Sequence, residues 1–244
     1  MSNTSRFCWF EYGGDAKKAQ GFFGELFNWS TKPMPIGNGM TYTMIALGDE
    51  TIGGYIEGQP RWLSHLMVTD AKASAAQVKS LGGKVIVEPV AMGPGTYAVV
   101  ADPLGTQFAL WQPGKPEEGE YSHAPNAFCW NELLTHDETK SLAFYTAIAG
   151  FADKSMDMGP MGTYHVLSTG GKDRAGMMKA PMPDAPALWI PYVHVASADA
   201  TLAKAAKLGA TVIVPANDVP NVGRIAVLID PQGVPLGLLQ PAAM

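Results

Sequence analysis

The sequence has 244 residues, 47% of them hydrophobic and 16% charged, which excludes a disordered chain and allows one large domain or two small ones. Its formal net charge is -5 with no Lys/Arg cluster, so a nucleic-acid or acidic-membrane partner has no electrostatic footprint. The opening MSNTSRF lacks a secretory apolar stretch and the apolar runs are strand-length, so neither a signal peptide nor a membrane span is expected.

The chain reads as a duplication. Phe7-Cys8-Trp9-Phe10-Glu11-Tyr12 matches Phe128-Cys129-Trp130-Asn131-Glu132-Leu133. Leu81-Gly82-Gly83 matches Leu208-Gly209-Ala210, and Val85-Ile86-Val87 matches Val212-Ile213-Val214. Asp102-Pro103-Leu104-Gly105 matches Asp230-Pro231-Gln232-Gly233, and Gln112-Pro113 matches Gln240-Pro241. The order is collinear, which predicts two modules, 1–112 and 127–244. Residues 113–126, rich in Pro, Gly and charge, form the linker. Cys8 and Cys129 hold matching places, which argues against a disulfide framework and for a reducing cytoplasm.

Each copy opens with an aromatic strand, Phe7–Tyr12 or 128–134. Asp15 or Asp137 then caps a helix, its carboxylate accepting from orphan amides. Phe22, Phe23 and Leu26 give that helix an apolar stripe, as Phe144, Tyr145 and Ile148 do in the second copy. A hairpin follows, over 41–47 and 51–56 or 164–168 and 174–178. A further strand, 62–68 or 189–195, leads to a second helix ending at Gly82 or Gly209, where positive φ is wanted. Three short strands close the copy, the last at 106–111 or 234–239. Four β-α-β-β-β half-units are therefore expected, forming curved mixed sheets with outer helices, an α+β class.

Four motifs occur in order. Asp15 stands seven before Phe22-Phe23, and Asp137 seven before Phe144-Tyr145; Val68-Thr69-Asp70 leaves the fifth strand; Asp102-Pro103-x-Gly105 and Asp230-Pro231-x-Gly233 precede the last strands. Together they resemble the vicinal oxygen chelate superfamily of glyoxalases, bleomycin-resistance proteins and extradiol dioxygenases, over nearly the whole chain. The opening Trp-x-Glu resembles a two-copy, glyoxalase-like subgroup.

The resemblance implies a cup holding a divalent metal that polarises vicinal oxygens of a substrate. Counted from the motifs, the ligand positions carry Trp9, Leu63 and Ala109 in copy one and Trp130, Ile190 and Gly237 in copy two. These side chains cannot hold such an ion. On the fourth strand Glu57 offers one oxygen ligand, where copy two has Lys179. No metal or other cofactor is predicted.

Strand alternation then sets what lines the cup. Glu11 shares a face with Trp9, and Glu132 with Trp130; Leu63, His65 and Met67 share another, as do Ile190, Tyr192 and His194. A glutamate in an apolar cup would have a raised pKa and could serve as a general base, with an imidazole or phenol as partner. The predicted catalytic residues are Glu11 and Glu132, and the predicted ligand contacts are Trp9, His65, Met67, Trp130, Tyr192 and His194. For each the plainer role stays open: core packing for the tryptophans, a structural ion pair for the glutamates, a satisfied sheet histidine for His65 and His194. Thirteen methionines read as pocket lining or as gap-filling. Arg224 could reach an anion, but a surface role suits it better.

Three functions follow. One is a metal-free small-molecule binder with a detoxification or resistance role. Another is a lyase- or dioxygenase-like enzyme with a displaced metal or glutamate acid–base chemistry. The third is an interaction module with filled cups. The expected partner is a small molecule, not nucleic acid or membrane, and the chain is expected to be a monomer or homodimer.

Overall fold

The computed structural model describes residues 5–37, 40–115 and 124–242; residues 116–123 of the linker lie outside them. In the first copy β1 (Phe7–Gly14), α1 (Ala16–Phe27), β2 (Ser30–Gly37), β3 (Met40–Leu47) and β4 (Glu50–Glu57) precede β5 (Arg61–Met67), α2 (Ala71–Ser80), β6 (Lys84–Met92), β7 (Gly95–Ala101) and β8 (Gln107–Pro113). The second copy repeats them as β9 (Phe128–Thr135), α3 (Glu138–Ala149), β10 (Ala152–Asp157), β11 (Thr163–Thr169), β12 (Lys172–Lys179), β13 (Leu188–His194), α4 (Ala198–Lys207), β14 (Thr211–Val219), β15 (Gly223–Ile229) and β16 (Pro235–Pro241). These are the four expected β-α-β-β-β half-units. None of the described helices is long and apolar enough to cross a membrane.

Strand order is β2-β3-β4-β1-β5-β8-β7-β6 in one sheet and β10-β11-β12-β9-β13-β16-β15-β14 in the other. The first strand of each half-unit lies parallel to its last, as β1 does to β4 and β13 to β16, while the hairpins are antiparallel. The mixed α+β architecture is thus the expected one. The strands β2 and β10, which carry no hydrophobic alternation, occupy edges. β2 holds Pro33 and Pro35, and every residue of β10 is exposed; an edge strand tolerates both because one side of its backbone faces no ladder.

The helix starts obey capping chemistry. Asp15 accepts from the Lys18 amide, Asp70 from those of Lys72 and Ala73, and Asp137 from that of Lys140; Ser197 does the same for α4. Gly82 and Gly209 follow α2 and α4 with φ of 84° and 95°.

Packing groups the chain differently from its repeats. One compact unit, called the mid-chain unit, takes described residues 5–8, 63–115 and 131–189. The other, the end-chain unit, takes 9–62, 124–130 and 190–242. Each therefore combines half of one copy with half of the other.

In each unit the D-P-x-G turn supplies a buried aspartate. In the end-chain unit Asp230 accepts from the amides of Gln232 and Val234, at 2.8 and 2.9 Å, and from the Tyr12 hydroxyl at 2.5 Å. Gln232 of the same turn clamps the backbone of Asp15, accepting from its amide and donating to its carbonyl. Tyr12 packs edge-on against Phe23, Tyr55 and Trp62.

In the mid-chain unit Asp102 accepts from the amides of Leu104 and Thr106, both at 2.9 Å, and from the Tyr145 hydroxyl at 3.2 Å. The Tyr145 oxygen in turn accepts from Trp189 Nε1 at 3.0 Å. Burial pushes both carboxyls above the ordinary aspartate range while these donors pull them back.

Tyr12→Phe is expected to destabilise the fold by about 1–3 kcal/mol, because Asp230 loses a buried donor. Tyr145→Phe should cost more, since it strands both Asp102 and the Trp189 indole N–H. Urea denaturation of the two variants measures the difference, and equal losses would show that the indole bond contributes nothing.

Candidate functional site

Along β1, Phe10 and Tyr12 pack into the core and Trp9 and Glu11 take the other face. Glu11 is nevertheless 7% exposed. It is held there by a hydrogen-bonded relay: Trp9 Nε1 donates to the Tyr42 oxygen at 3.0 Å, and the Tyr42 hydroxyl donates to Glu11 Oε2 at 2.9 Å. Tyr42 stands on β3 and reaches β1 across β4. It can do so because residue 54, paired with Glu11 in the ladder, is glycine; a Cβ there would fall 2.0 Å from the Tyr42 oxygen. Burial raises the Glu11 carboxyl above its ordinary pKa, against the Tyr42 bond and the charge of Arg61, which lower it.

The second copy builds the same pair in the mid-chain unit. The Tyr164 hydroxyl donates to Glu132 Oε2 at 2.9 Å, and Glu132 is 9% exposed. Glu132 again faces a glycine, Gly176, which pairs on its far side with Val166, two residues along β11 from the tyrosine. Trp130 is half-buried, like Trp9. The sequence reading missed both tyrosines. Their signal was the shared Thr-Tyr, Thr41-Tyr42 and Thr163-Tyr164, opening the third strand of each copy.

His65 is buried on β5, opposite Ala109 of β8. Its ring centroid lies 5.4 Å from that of Tyr97, beside an apolar cluster of Leu63, Val99 and Ala109. Among the described residues nothing hydrogen-bonds its Nε2. Burial lowers its pKa to about 3, so the imidazole is neutral. Met67 is fully buried, Tyr192 is buried and His194 half-buried. Tyr192 lies against Gly237, where an added Cβ would come within 2.4 Å of the ring.

Several other candidates have structural duties. Glu57 is exposed and accepts from the Ala16 amide at the start of α1. Arg224 is engaged at the surface by Asp199, at 2.6 and 3.0 Å, and by Asp218 at 3.1 Å. Cys8 and Cys129 are not joined in a disulfide, and their thiols donate to the His65 and Tyr192 carbonyls, each at 3.5 Å; burial pushes Cys129 up to about 12, which leaves it un-ionised.

The metal test turns on donor chemistry. Among the described residues no three His, Cys, Asp or Glu side chains converge as ligands. At position 237 the Tyr192 ring fills the space that a ligating side chain would enter. The residues present do not fit the metal that the family resemblance implies.

The neutral state of His65 has a pH signature. The unfolded chain takes up a proton as pH drops through about 6.5, whereas the folded chain does so only near 3. Stability is therefore lost as pH falls between those values, by up to about 1.4 kcal/mol per pH unit. His65→Leu should remove this component, so the stability gap between variant and parent should widen as pH is lowered from about 7 to 4.5. A gap independent of pH would show that the folded imidazole is not held neutral.

No family model matches the chain. CFP32 of Mycobacterium tuberculosis, provisionally named a glyoxylase, is 36% identical over 238 residues, covering 93% of this chain and 91% of that protein. DauV of a Streptomyces species, named an anthracycline biosynthesis protein, is 29% identical over 260 residues, covering 96% and 92%. The fold is similar to that of an Mn(II)-bound glyoxalase from Novosphingobium aromaticivorans, with TM-score 0.67 and 16% identity over 98% of this chain and 83% of that one. It is similar also to 2,2',3-trihydroxybiphenyl 1,2-dioxygenase from Sphingomonas wittichii, with TM-score 0.66 and 15% identity over 99% and 92%. With this sequence likeness, the ordered motifs and the four half-units, the chain belongs to the glyoxalase- and dioxygenase-like family of the vicinal oxygen chelate superfamily.

Proposed function

We propose that this protein binds a small organic molecule without the family's divalent metal, at the carboxylate–phenol pairs Tyr42–Glu11 and Tyr164–Glu132. The observation that carries the reading is their duplication. In both copies a buried glutamate accepts a tyrosine hydroxyl at 2.9 Å. Burying a carboxyl beside a half-buried tryptophan costs free energy that a surface position would not. Tyr42 fixes Oε2 of Glu11 and so fixes the orientation of the carboxyl, which can offer its other oxygen to a ligand hydroxyl. Trp9 supplies a flat apolar contact next to it, a combination suited to an aromatic ligand with polar groups at its rim. The anthracycline biosynthesis named for DauV favours a ligand of that kind. A cytoplasmic detoxification or resistance role, by a monomer or homodimer, accords with this reading.

A second reading, catalysis, is favoured by the raised pKa of Glu11. A carboxylate made more basic by burial is a better general base, and Tyr42 would donate to the charge left by the reaction.

Titration with 1,8-dihydroxyanthraquinone, before and after chelator treatment, tests both. Binding is expected to survive chelation. In the Glu11→Gln, Glu132→Gln double variant it should weaken roughly ten- to hundredfold, equivalent to about 1–3 kcal/mol, with the melting temperature little changed. Unaltered binding in the double variant, or binding abolished by chelator, would sink the proposal. A melting temperature that falls before affinity does would assign the glutamates to structure.

A further inference from the structure

The mid-chain unit contains a polar atom that the carboxylate–phenol pairs do not account for. His65 Nε2 is buried and has no hydrogen-bond partner among the described residues. A buried nitrogen left in that state costs free energy that a hydrogen-bond partner would recover. Its surroundings offer no relief. Leu63 and Val99 are apolar, Ala109 opposite ends at its Cβ, and Tyr97 meets the imidazole ring against ring at a centroid distance of 5.4 Å.

We infer that His65 is a recognition point for a neutral aromatic molecule carrying a hydroxyl or carbonyl group, which hydrogen-bonds Nε2 and lies against Tyr97 and the Leu63–Val99–Ala109 wall. The inference rests on the small-molecule reading above but uses other residues. A neutral imidazole has one donor and one acceptor nitrogen and suits either group. It supplies no charge to compensate a buried anion, so carboxylate ligands are excluded. The ring is neutral because burial lowers its pKa to about 3; the Tyr97 ring lies against it, and the Cys8 thiol donates to the His65 backbone carbonyl at 3.5 Å.

The test uses 2-naphthol and its charged counterpart 2-naphthoate, with histidine-selective ¹⁵N NMR and calorimetry on the full chain. 2-Naphthol is expected to bind and to shift the His65 Nε2 resonance, with 2-naphthoate at least tenfold weaker. His65→Leu should lose 2-naphthol affinity at least tenfold while melting at a higher temperature than the parent, because the unpartnered nitrogen is gone. His65→Gln, which keeps a donor and an acceptor, should recover part of the affinity. Equal affinity for the two naphthalenes, an unchanged His65 resonance, no 2-naphthol binding (a site closed by water alone), or full affinity in His65→Leu would each overturn the inference. These outcomes leave the glutamate reading standing, since that is judged on Glu11 and Glu132 variants.

Discussion

The tyrosine hydroxyl donated to a buried D-P-x-G aspartate is the interaction on which each compact unit depends. The turn needs the aspartate for its own backbone, because Asp102 and Asp230 each accept two amides from the residues that follow. This places a carboxyl in an aromatic core, where it is costly without further donors. The two units meet that demand from different elements. Tyr12 of β1 serves Asp230, and Tyr145 of α3 serves Asp102. The repeat counterparts of these tyrosines are Leu133 and Phe23, so a phenol gained at one position accompanies one absent at the other. The exchange has a side effect. Trp189 finds the Tyr145 oxygen, while Nε1 of its counterpart Trp62, packed against Phe23, has no partner among the described residues.

A second coupled exchange lies in the same layer. In the mid-chain unit Ser64 donates to Asn131 at 3.1 Å, with both residues fully buried. Their counterparts in the end-chain unit are Pro191 and Phe10, and Phe10 instead packs on Phe128 with centroids 4.4 Å apart. Polar has changed with polar and apolar with apolar, which gives the buried Ser64 hydroxyl an acceptor, although Asn131 Nδ2 has no partner among the described residues. The copies have thus diverged in pairs set by packing.

That history explains what the sequence disclosed. Capping aspartates, D-P-x-G turns and the aromatic first strands are local signals, each confined to a few consecutive residues, and the caps Asp15 and Asp137 could be placed from them. Glu11 and Glu132 were legible too, by strand parity. Their tyrosine donors were not, because Tyr42 meets Glu11 only after β3 and β4 fold back onto β1, and the enabling feature is an absent side chain at Gly54. The edge strands β2 and β10 escaped for the opposite reason: β10 is exposed throughout, and in β2 Met34 and Ile36 stand among prolines that read as loop. The grouping of half of each copy into one unit is a property of packing, and no motif encodes it.

The metal positions show how such divergence acts on a site. A carboxylate restored at position 237 would not by itself rebuild a ligand set, for the Tyr192 ring already occupies that side chain's path. Tyr192 and Gly237 are ladder partners, so the large residue and the missing one form a single steric arrangement. Leu63 and Ala109 are likewise packed with Val99 in one apolar cluster. Positions 63, 109 and 237 are thus tied to their neighbours' packing, and a carboxylate placed at any of them would disturb it. Glu11 with Tyr42 and Glu132 with Tyr164 are hydrogen-bonded pairs, and His65 is a neutral imidazole. On the function proposed above, they recognise hydroxyl and carbonyl groups by direct donation and acceptance.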